Sequence, residues 1–308
     1  MEKKQSEWAT SMPFKEQLVV IKRLFAYAKP FKMTFIIAIG FALVLATINV
    51  LMPRILQTLI DRYLTTQSAT LQIILFFAML YLLGTILKAV IWFFQWFLYS
   101  NASLQSYQHI RVKLFEKLHT LGMRYFDQTP AGSVVSRVSN DTETLFEFWH
   151  VFLTVLTGIF AVVSSFIAMF QINQKIALLI LAFLPILGFV IWYYQSFSSR
   201  VYRQMREKLS QLNTKLNESI SGMQIIQQFR QERRFMKEFE ETNDEYLATR
   251  YAMIKMNSLL LGPIISLLYT FALAVVLTAF GFNAMQSPVE VGLIFAFTTY
   301  VQTFFNPM

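Results

Sequence analysis

The chain has 308 residues, of which 55% are hydrophobic and 15% are charged, with 31 Phe and a formal net charge of +9. This composition excludes an ordinary soluble domain, and the absence of Cys excludes disulfide bonds. Several uncharged runs are long enough to cross about 30 Å of hydrocarbon at about 1.5 Å per helical residue. We therefore predict an all-α integral membrane protein.

Residues 1–32 precede the first apolar run. Within them, apolar residues recur at helical spacing on one face and basic residues occupy the other, which is typical of a helix lying at the membrane interface. The apolar face consists of Phe14, Leu18, Ile21, Leu24, Phe25 and Ala28, and the basic face of Lys15, Lys22, Arg23 and Lys29. We predict an interfacial elbow helix in this segment, on the cytoplasmic leaflet.

Six segments are predicted to span the membrane. The second contains Lys88, and the sixth reaches the required length only when residues 289–308 are all included. The predicted spans are residues 33–53, 71–99, 149–172, 176–197, 258–282 and 289–308. Asp61 and Arg62, just beyond the first span, are expected to form a solvated pair.

Two long polar loops, residues 100–148 and 198–257, connect the second span to the third and the fourth to the fifth. Their apolar residues keep helical spacing, so the second and fourth spans are predicted to continue as amphipathic helices for about 40 Å beyond the membrane. Pro130 and Gly132 in the first loop, and residues 219–222 near the middle of the second, predict where each loop turns back.

The basic residues predict the orientation. All but four of the 27 Lys and Arg lie before the first span or in the two long loops. The exceptions are Arg54, Arg62, Lys88 and Lys175. Because cytoplasmic loops near span ends retain Lys and Arg, both termini and both long loops are predicted to be cytoplasmic. This topology and attraction to anionic membrane lipid account for the net charge, and no nucleic-acid partner is predicted.

Three groups of residues resemble the signature motifs of ABC exporters. In the first loop they are Tyr125-Phe126-Asp127, Gly132, Ser136-Arg137-Val138 and Asn140-Asp141-Thr142. In the second loop they are Asn217-Glu218-Ser219, Gly222, Ile225-Ile226 and Phe229, and in the sixth span Val291-Gly292, Phe295, Tyr300 and Asn306-Pro307. With the elbow helix, the resemblance covers essentially the whole chain. It implies the transmembrane domain of a multidrug-type exporter, with six spans, long cytoplasmic helical extensions and the type I (type IV) exporter fold.

The resemblance implies that each long loop contains a short coupling helix that docks on a nucleotide-binding domain, where ATP and Mg²⁺ bind. It puts the first coupling helix at Ala131, Gly132, Ser133 and Val134, and the second at Gln211, Leu212, Asn213, Thr214 and Lys215. It also implies that two six-span halves pair, as a homodimer or a heterodimer.

The chain lacks the Gly-x-x-x-x-Gly-Lys-Ser/Thr loop that holds ATP phosphates. No catalytic, cofactor or metal site is therefore predicted within it, and its three histidines, His109, His119 and His150, are not spaced as metal ligands. The complete transporter would be an ATP-hydrolysing translocase. Its ATPase domain is expected to be fused beyond Met308, which would make this end a truncation, or to be a separate subunit.

Polar and aromatic residues within the spans are the candidates for a substrate cavity, because such residues face protein or water more often than lipid. They are Asn49, Lys88, Trp92, Gln95, Phe271, Phe295, Tyr300 and Phe304. For Lys88 the alternative is a side chain that snorkels to water or pairs with a neighbouring helix, and for the Phe residues it is packing or contact with lipid.

The favoured function is ATP-driven export of hydrophobic or amphipathic small molecules across a bacterial plasma membrane, with lipid or peptide export as the alternative. An ion-coupled carrier is disfavoured because the uncharged spans contain no Asp or Glu. A channel or receptor scaffold would not require loop turns that dock an ATPase.

Overall fold

The computed structural model describes residues 14–260, 262–286 and 289–307. Over these residues the chain is helical and contains no strand, which confirms the predicted all-α fold. The helices are α1 (Phe14–Ala28), α2 (Lys32–Leu59), α3 (Leu71–His119), α4 (Met123–Gln128), α5 (Ala131–Ser136), α6 (Thr142–Ile172), α7 (Gln174–Leu181), α8 (Phe183–Ser221), α9 (Met223–Gln228), α10 (Glu232–Leu260), α11 (Gly262–Gln286) and α12 (Val291–Phe305). A 3-10 turn, Lys29–Phe31, precedes α2, and π-helical turns follow α2 at Ile60–Leu64 and α5 at Arg137–Asp141.

Five helical stretches in the described part of the chain are long and apolar enough to cross a membrane. They are Leu18–Leu64, Leu71–His119, Ala131–Ile172, Gln174–Ser221 and Glu232–Met285. The shorter helix α12 is also apolar and coincides with the predicted sixth span. Both α3 and α8 continue without a break far beyond the predicted membrane boundary, as the spacing of their apolar residues predicts.

The predicted fourth span is two helices rather than one. Helix α7 ends at Leu181 and α8 begins at Phe183, with Ala182 between them. Pro185 lies in the first turn of α8, where its missing amide hydrogen removes the bond to the carbonyl four residues earlier. The helix therefore ends and restarts just before this proline.

The chain divides into two compact units. The first consists of the residues up to Ser165 together with Glu290–Ala296 and Pro307. In its core the Tyr99 hydroxyl donates a hydrogen bond to the Trp149 carbonyl at 2.8 Å, and the Phe35 ring lies 5.2 Å from the Tyr99 ring and 4.8 Å from the Trp149 ring. These three aromatic residues join α2, α3 and α6, so burial of large rings positions the helices of this unit.

Helix α1 packs on α6 within the first unit. The Phe25 ring lies edge-on to Trp149 at 5.3 Å and to Phe152 at 5.2 Å, and Ala28 is buried. Two other members of the predicted apolar face, Leu18 and Ile21, remain exposed. The amphipathic helix is therefore attached to the protein at its C-terminal end, while the side chains of Phe14 and Lys15 lie outside those that the structure describes.

The second unit consists of Phe166–Val289 and Phe297–Asn306. The Tyr194 hydroxyl on α8 donates a hydrogen bond to Asn257 Oδ1 on α10 at 3.0 Å. On the next helices, the rings of Phe280 and Phe297 meet at 5.2 Å. Polar and aromatic contacts thus join α8 to α10 and α11 to α12.

A close contact joins the end of α2 to the start of α12, and it corrects the expectation for Asp61. Its Oδ1 atom accepts a hydrogen bond from the Gly292 amide at 2.6 Å, whereas Oδ2 is buried with no partner among the described residues. A carboxylate is favourable at a helix N-terminus, where amides are otherwise unpaired. Asp61 therefore caps α12 instead of forming a solvated pair with Arg62.

This contact requires glycine at position 292. A Cβ atom there would lie 2.6 Å from the Gln57 carbonyl oxygen and 2.8 Å from Asp61 Oδ1. We expect Gly292→Ala to lower the free energy of unfolding by about 1–3 kcal/mol, because the clash with backbone cannot be relieved by a side-chain rotation. Thermal unfolding of the detergent-solubilised protein measures the change.

Gly281→Ala is the matched control, since a Cβ atom at Gly281 meets nothing within 4 Å. This glycine lies inside α11, where alanine is the better helix former, so the control should be neutral or stabilising by up to about 1 kcal/mol. Equal stability of the two variants would contradict the close approach of α2 and α12.

Candidate functional site

The turn of the first long loop contains the short helix α5. Helix α4 ends at Gln128, and α5 begins after Pro130, which has no amide hydrogen with which to continue a helix. The four residues predicted for the first coupling helix all lie in α5: Ala131, Gly132, Ser133 and Val134. The first two are exposed and the last two are half-buried. These residues form the beginning of a helical stretch that continues through a π-helical turn into α6, and their coupling role remains a prediction.

Arginine side chains hold this turn against the rest of the loop. Arg111 on α3 donates from its Nε atom to the Val138 carbonyl at 3.2 Å and from its guanidinium to the Ser139 carbonyl at 3.5 Å. Arg137 donates to the Tyr125 hydroxyl at 3.4 Å, which links the π-helical turn after α5 to α4. Bonds from a charged donor to backbone carbonyls are stronger than neutral ones. The motif residues of this loop thus serve to position α5.

Helices α8 and α10 form the two antiparallel arms of the second long loop. Lys208 Nζ lies 2.6 Å from Glu245 Oε2, and Lys215 Nζ donates to the Glu238 carbonyl at 2.8 Å. The members of each pair are equidistant along the chain from a point between residues 226 and 227. The loop therefore turns back at α9, Met223–Gln228.

This geometry puts the residues predicted for the second coupling helix in an arm of the loop and not at its turn, and their coupling role remains a prediction. The predicted residues Gln211, Leu212, Asn213, Thr214 and Lys215 lie inside α8, which continues to Ser221. Residues 211–215 contain neither Gly nor Pro, so nothing in them interrupts the helix. The interruptions come later, at Gly222, which ends α8, and at Arg230, which has a φ of 52°. The predicted break at residues 219–222 agrees with the structure.

Helix α9 presents apolar side chains on both of its faces. Ile226 is buried and lines an apolar groove of about 230 Å³ together with Leu216, Met223, Phe235 and Phe239. Ile225 is 61% exposed and the nearby Phe229 is 67% exposed. In a polar segment outside the predicted spans, adjacent exposed apolar residues are typical of a docking surface.

Three of the predicted cavity residues meet within the first unit. Asn49, Trp92 and Gln95 line a cavity of about 220 Å³ between α2, α3 and α6. The rest of its lining consists of Ala42, Leu45, Ala46, Trp96, Leu153, Thr154, Thr157 and Ala161. Sequence reasoning missed Trp96 and the two threonines. Trp96 lies four residues after Trp92, and the two threonines lie three residues apart on the third span. Such helical spacing could have indicated all three residues.

The other predicted cavity residues do not line this cavity. Lys88 and Phe295 are both exposed. Phe271 is exposed and packs on Phe183, with ring centroids 6.0 Å apart. Tyr300 and Phe304 are fully buried. For the last two residues, burial favours the packing role over contact with a ligand.

Comparison with known proteins identifies relatives over nearly the whole chain. Residues 35–308 match the family described as the ABC transporter transmembrane region. The protein exp8 of Streptococcus pneumoniae, whose name describes an ABC transporter ATP-binding protein, is 33% identical over 295 residues, which are 95% of this chain and 50% of exp8. A multidrug resistance-like ATP-binding protein, MdlB of Buchnera aphidicola, is 31% identical over 94% of this chain and 50% of its own length. The chain therefore spans about half the length of the curated relatives it matches.

The ion pair of the second loop predicts a change in one pKa. The hydrogen bond from Lys208, followed by its positive charge, lowers the pKa of Glu245 below its ordinary value of 4.5. A lowered pKa in the folded state means that the pair stabilises the α8–α10 pairing above the ordinary pKa and ceases to do so as pH falls through the lowered value. We expect Lys208→Met to raise the pKa of Glu245 toward 4.5.

Carboxyl ¹³C shifts of glutamate-labelled protein in nanodiscs measure this pKa, and Glu245→Gln assigns the signal. Lys237→Met removes the same charge from an exposed position on α10 and should leave the pKa of Glu245 where it is. Equal effects of the two Lys variants would show that the contact with Lys208 is not formed in solution.

Proposed function

Because the chain belongs to the ABC transporter transmembrane region family, we propose that it is the membrane-spanning half of an ATP-driven exporter. Its cargo is a class of hydrophobic or amphipathic small molecules, taken from the cytoplasm or the inner leaflet. The observation that supports this function best is the pair of long helical loops, of which the first turns back at α4 and α5 and the second at α9. Lipid or peptide export is the alternative within the same family.

The energy source is ATP hydrolysis in a nucleotide-binding domain outside the present sequence. The matched relatives have names that include an ATP-binding part, and each is about twice as long as the region it shares with this chain. The 308 residues contain no Gly-x-x-x-x-Gly-Lys-Ser/Thr loop. ATP and Mg²⁺ would therefore be bound by this partner, which is either fused to the chain or a separate subunit.

Coupling to that domain takes place through α5 and α9. Helix α9 supports this role better than residues 211–215 because the loop turns there and Ile225 and Phe229 are exposed. Apolar and aromatic residues are enriched at the centres of protein interfaces. The part of α8 between residue 198 and Ser221 is about 36 Å long, and a stiff helix of that length transmits rigid-body motion toward the membrane.

The long loops and both termini lie in the cytoplasm of a bacterial cell, and the spans cross its plasma membrane. The distribution of Lys and Arg supports this orientation. In the first unit, Lys29, Lys32 and Lys113 line one pocket of about 380 Å³ beside the start of α2. A concentrated positive charge next to the membrane suits the anionic lipids of the cytoplasmic leaflet.

The working exporter is a dimer of two six-span halves, identical or different. The most apolar part of α3 contains no buried residue, and large side chains such as Phe76, Leu83 and Phe93 are exposed along it. A surface of this kind must face lipid or another membrane protein. A second half would cover part of it and complete the passage for cargo.

A crosslinking experiment tests the coupling contact. The chain has no Cys, so single cysteines can be introduced at Ile225 and, as the matched control on α8, at the exposed Asn213. In the complete transporter we expect a short bismaleimide to link Ile225→Cys, but not Asn213→Cys, to a cysteine on the ATPase domain. Capture at Asn213 alone would restore the position expected from the sequence, and capture at neither would refute docking through this loop.

A transport assay tests the function itself. Inside-out vesicles that contain the complete transporter should accumulate doxorubicin when ATP is added, and valinomycin with nigericin should not prevent this. Ile225→Asp should lower the ATP-dependent rate by about tenfold or more, because a carboxylate in an apolar contact loses its hydration without gaining a partner. Asn213→Asp is the matched control. Accumulation that needs an ion gradient and no nucleotide would assign the protein to the ion-coupled carriers.

A further inference from the structure

Two carboxamide side chains face the cavity between α2, α3 and α6 without hydrogen-bond partners in the described part of the chain. Gln95 on α3 is only 3% exposed, and Asn49 on α2 is half-buried. Most buried polar side chains in proteins are hydrogen-bonded, since an amide removed from water without a partner is unfavourable. The cavity thus contains unused donors and acceptors at the point where a ligand could reach them.

The hydroxyl groups of the cavity are already engaged. The Thr154 hydroxyl donates to the His150 carbonyl at 3.0 Å, and the Thr157 hydroxyl donates to the Leu153 carbonyl at 2.9 Å. These bonds lie within α6 and use the hydroxyl hydrogens. The only side-chain N–H donors among the described lining residues are therefore the two carboxamides and the Trp92 and Trp96 indoles.

The shape of the cavity comes from a contrast of side-chain sizes. Small side chains from α2, Ala42 and Ala46, line the cavity together with the large rings of Trp92 and Trp96 from α3. Ligand pockets have volumes of about 300–1,000 Å³, so a cavity of about 220 Å³ suits a ligand, or a ligand portion, smaller than a typical drug. Flat aromatic walls favour a flat apolar group.

The charge of the ligand follows from the lining. Among the described residues that form the cavity, none has a charged side chain. An ionic group within a membrane span is costly without a counterion, and no carboxylate is available here for a cation. Asn and Gln each offer both a donor and an acceptor, which matches a neutral amide or hydroxyl group.

We propose that this cavity binds a small neutral aromatic compound with an amide or hydroxyl group, which Asn49 and Gln95 recognise by hydrogen bonds. The statement that this compound is transported cargo rests on the proposed function, whereas the statement that it binds in the cavity does not. The pocket lies within the first unit, and its recognition groups come from two different helices.

Binding of three naphthalene compounds tests this inference. The protein is reconstituted in phosphatidylcholine nanodiscs, and quenching of Trp fluorescence is corrected with empty nanodiscs. We expect 1-naphthamide to bind more tightly than 1-methylnaphthalene, which has no hydrogen-bonding group, and than 1-naphthylmethylammonium, which is cationic. Gln95→Leu and Asn49→Leu should each weaken 1-naphthamide binding about three- to tenfold, as expected for loss of one neutral hydrogen bond.

Gln72→Leu is the matched control, because it removes the same group from an exposed position in the first turn of α3. This variant should bind 1-naphthamide like the parent protein. If Gln95→Leu does not fold, Asn49→Leu alone still decides, since Asn49 is only half-buried. Undiminished binding by a folded carboxamide variant, or a preference for the ammonium compound, would overturn the proposal.

The outcome can be separated from that of the transport assay because binding in nanodiscs requires no ATPase. Carboxamide-dependent binding without ATP-driven accumulation would leave the cavity as a ligand site and refute the exporter function. ATP-driven accumulation without carboxamide-dependent binding would leave the exporter function and refute the ligand site.

Discussion

Lipid hydrocarbon offers no hydrogen-bond partners to a polypeptide backbone, and each segment that crosses it must satisfy its own amides and carbonyls. The described residues meet this constraint by forming helices. Two of these helices continue well beyond the predicted spans. Helix α3 continues to His119 and α8 to Ser221 without interruption. Because these helices do not break at the membrane boundary, the turns that follow them lie at distances set by helix length. The possibility of mechanical coupling to an ATPase depends on that continuity.

The ends of these long helices have identifiable chemical causes. Pro130 separates α4 from α5, Gly222 ends α8, and Arg230 adopts a left-handed conformation after α9. Helix α5 continues through the π-helical turn Arg137–Asp141 into α6, and Arg111 holds that turn through the Val138 carbonyl. Helix α9, in contrast, has only six residues. A helix this short is not stable alone, so its neighbours must hold it, and the buried Ile226 provides such a contact.

Residue spacing predicted much of this arrangement. It did not predict the contacts between residues that lie far apart in the sequence. Trp92 and Gln95 are three residues apart, so helical geometry alone indicated that they share a face, and the structure adds Asn49 from α2 to the same cavity. The second coupling helix was expected at residues 211–215 from the family resemblance, and in the structure these residues lie inside α8. The contacts of Lys208 and Lys215 with α10 locate the centre of the turn at α9, just after the break predicted at residues 219–222. Asp61 was misjudged for a similar reason, since its partner, Gly292, is far away in the sequence.

By itself, the sequence determined the class of the molecule, the long helices, the breaks at Pro130 and at residues 219–222, and the family motifs, because hydropathy, periodicity and the chemistry of Pro and Gly act over a few residues. The tertiary structure alone decided that Asp61 caps α12, that α1 packs on α6 through Phe25, and that Asn49 and Gln95 face one cavity. Each of these contacts joins residues from different helices. The rotation of each helix about its axis, which decides what a side chain meets, is set by packing of whole helices and not by local spacing.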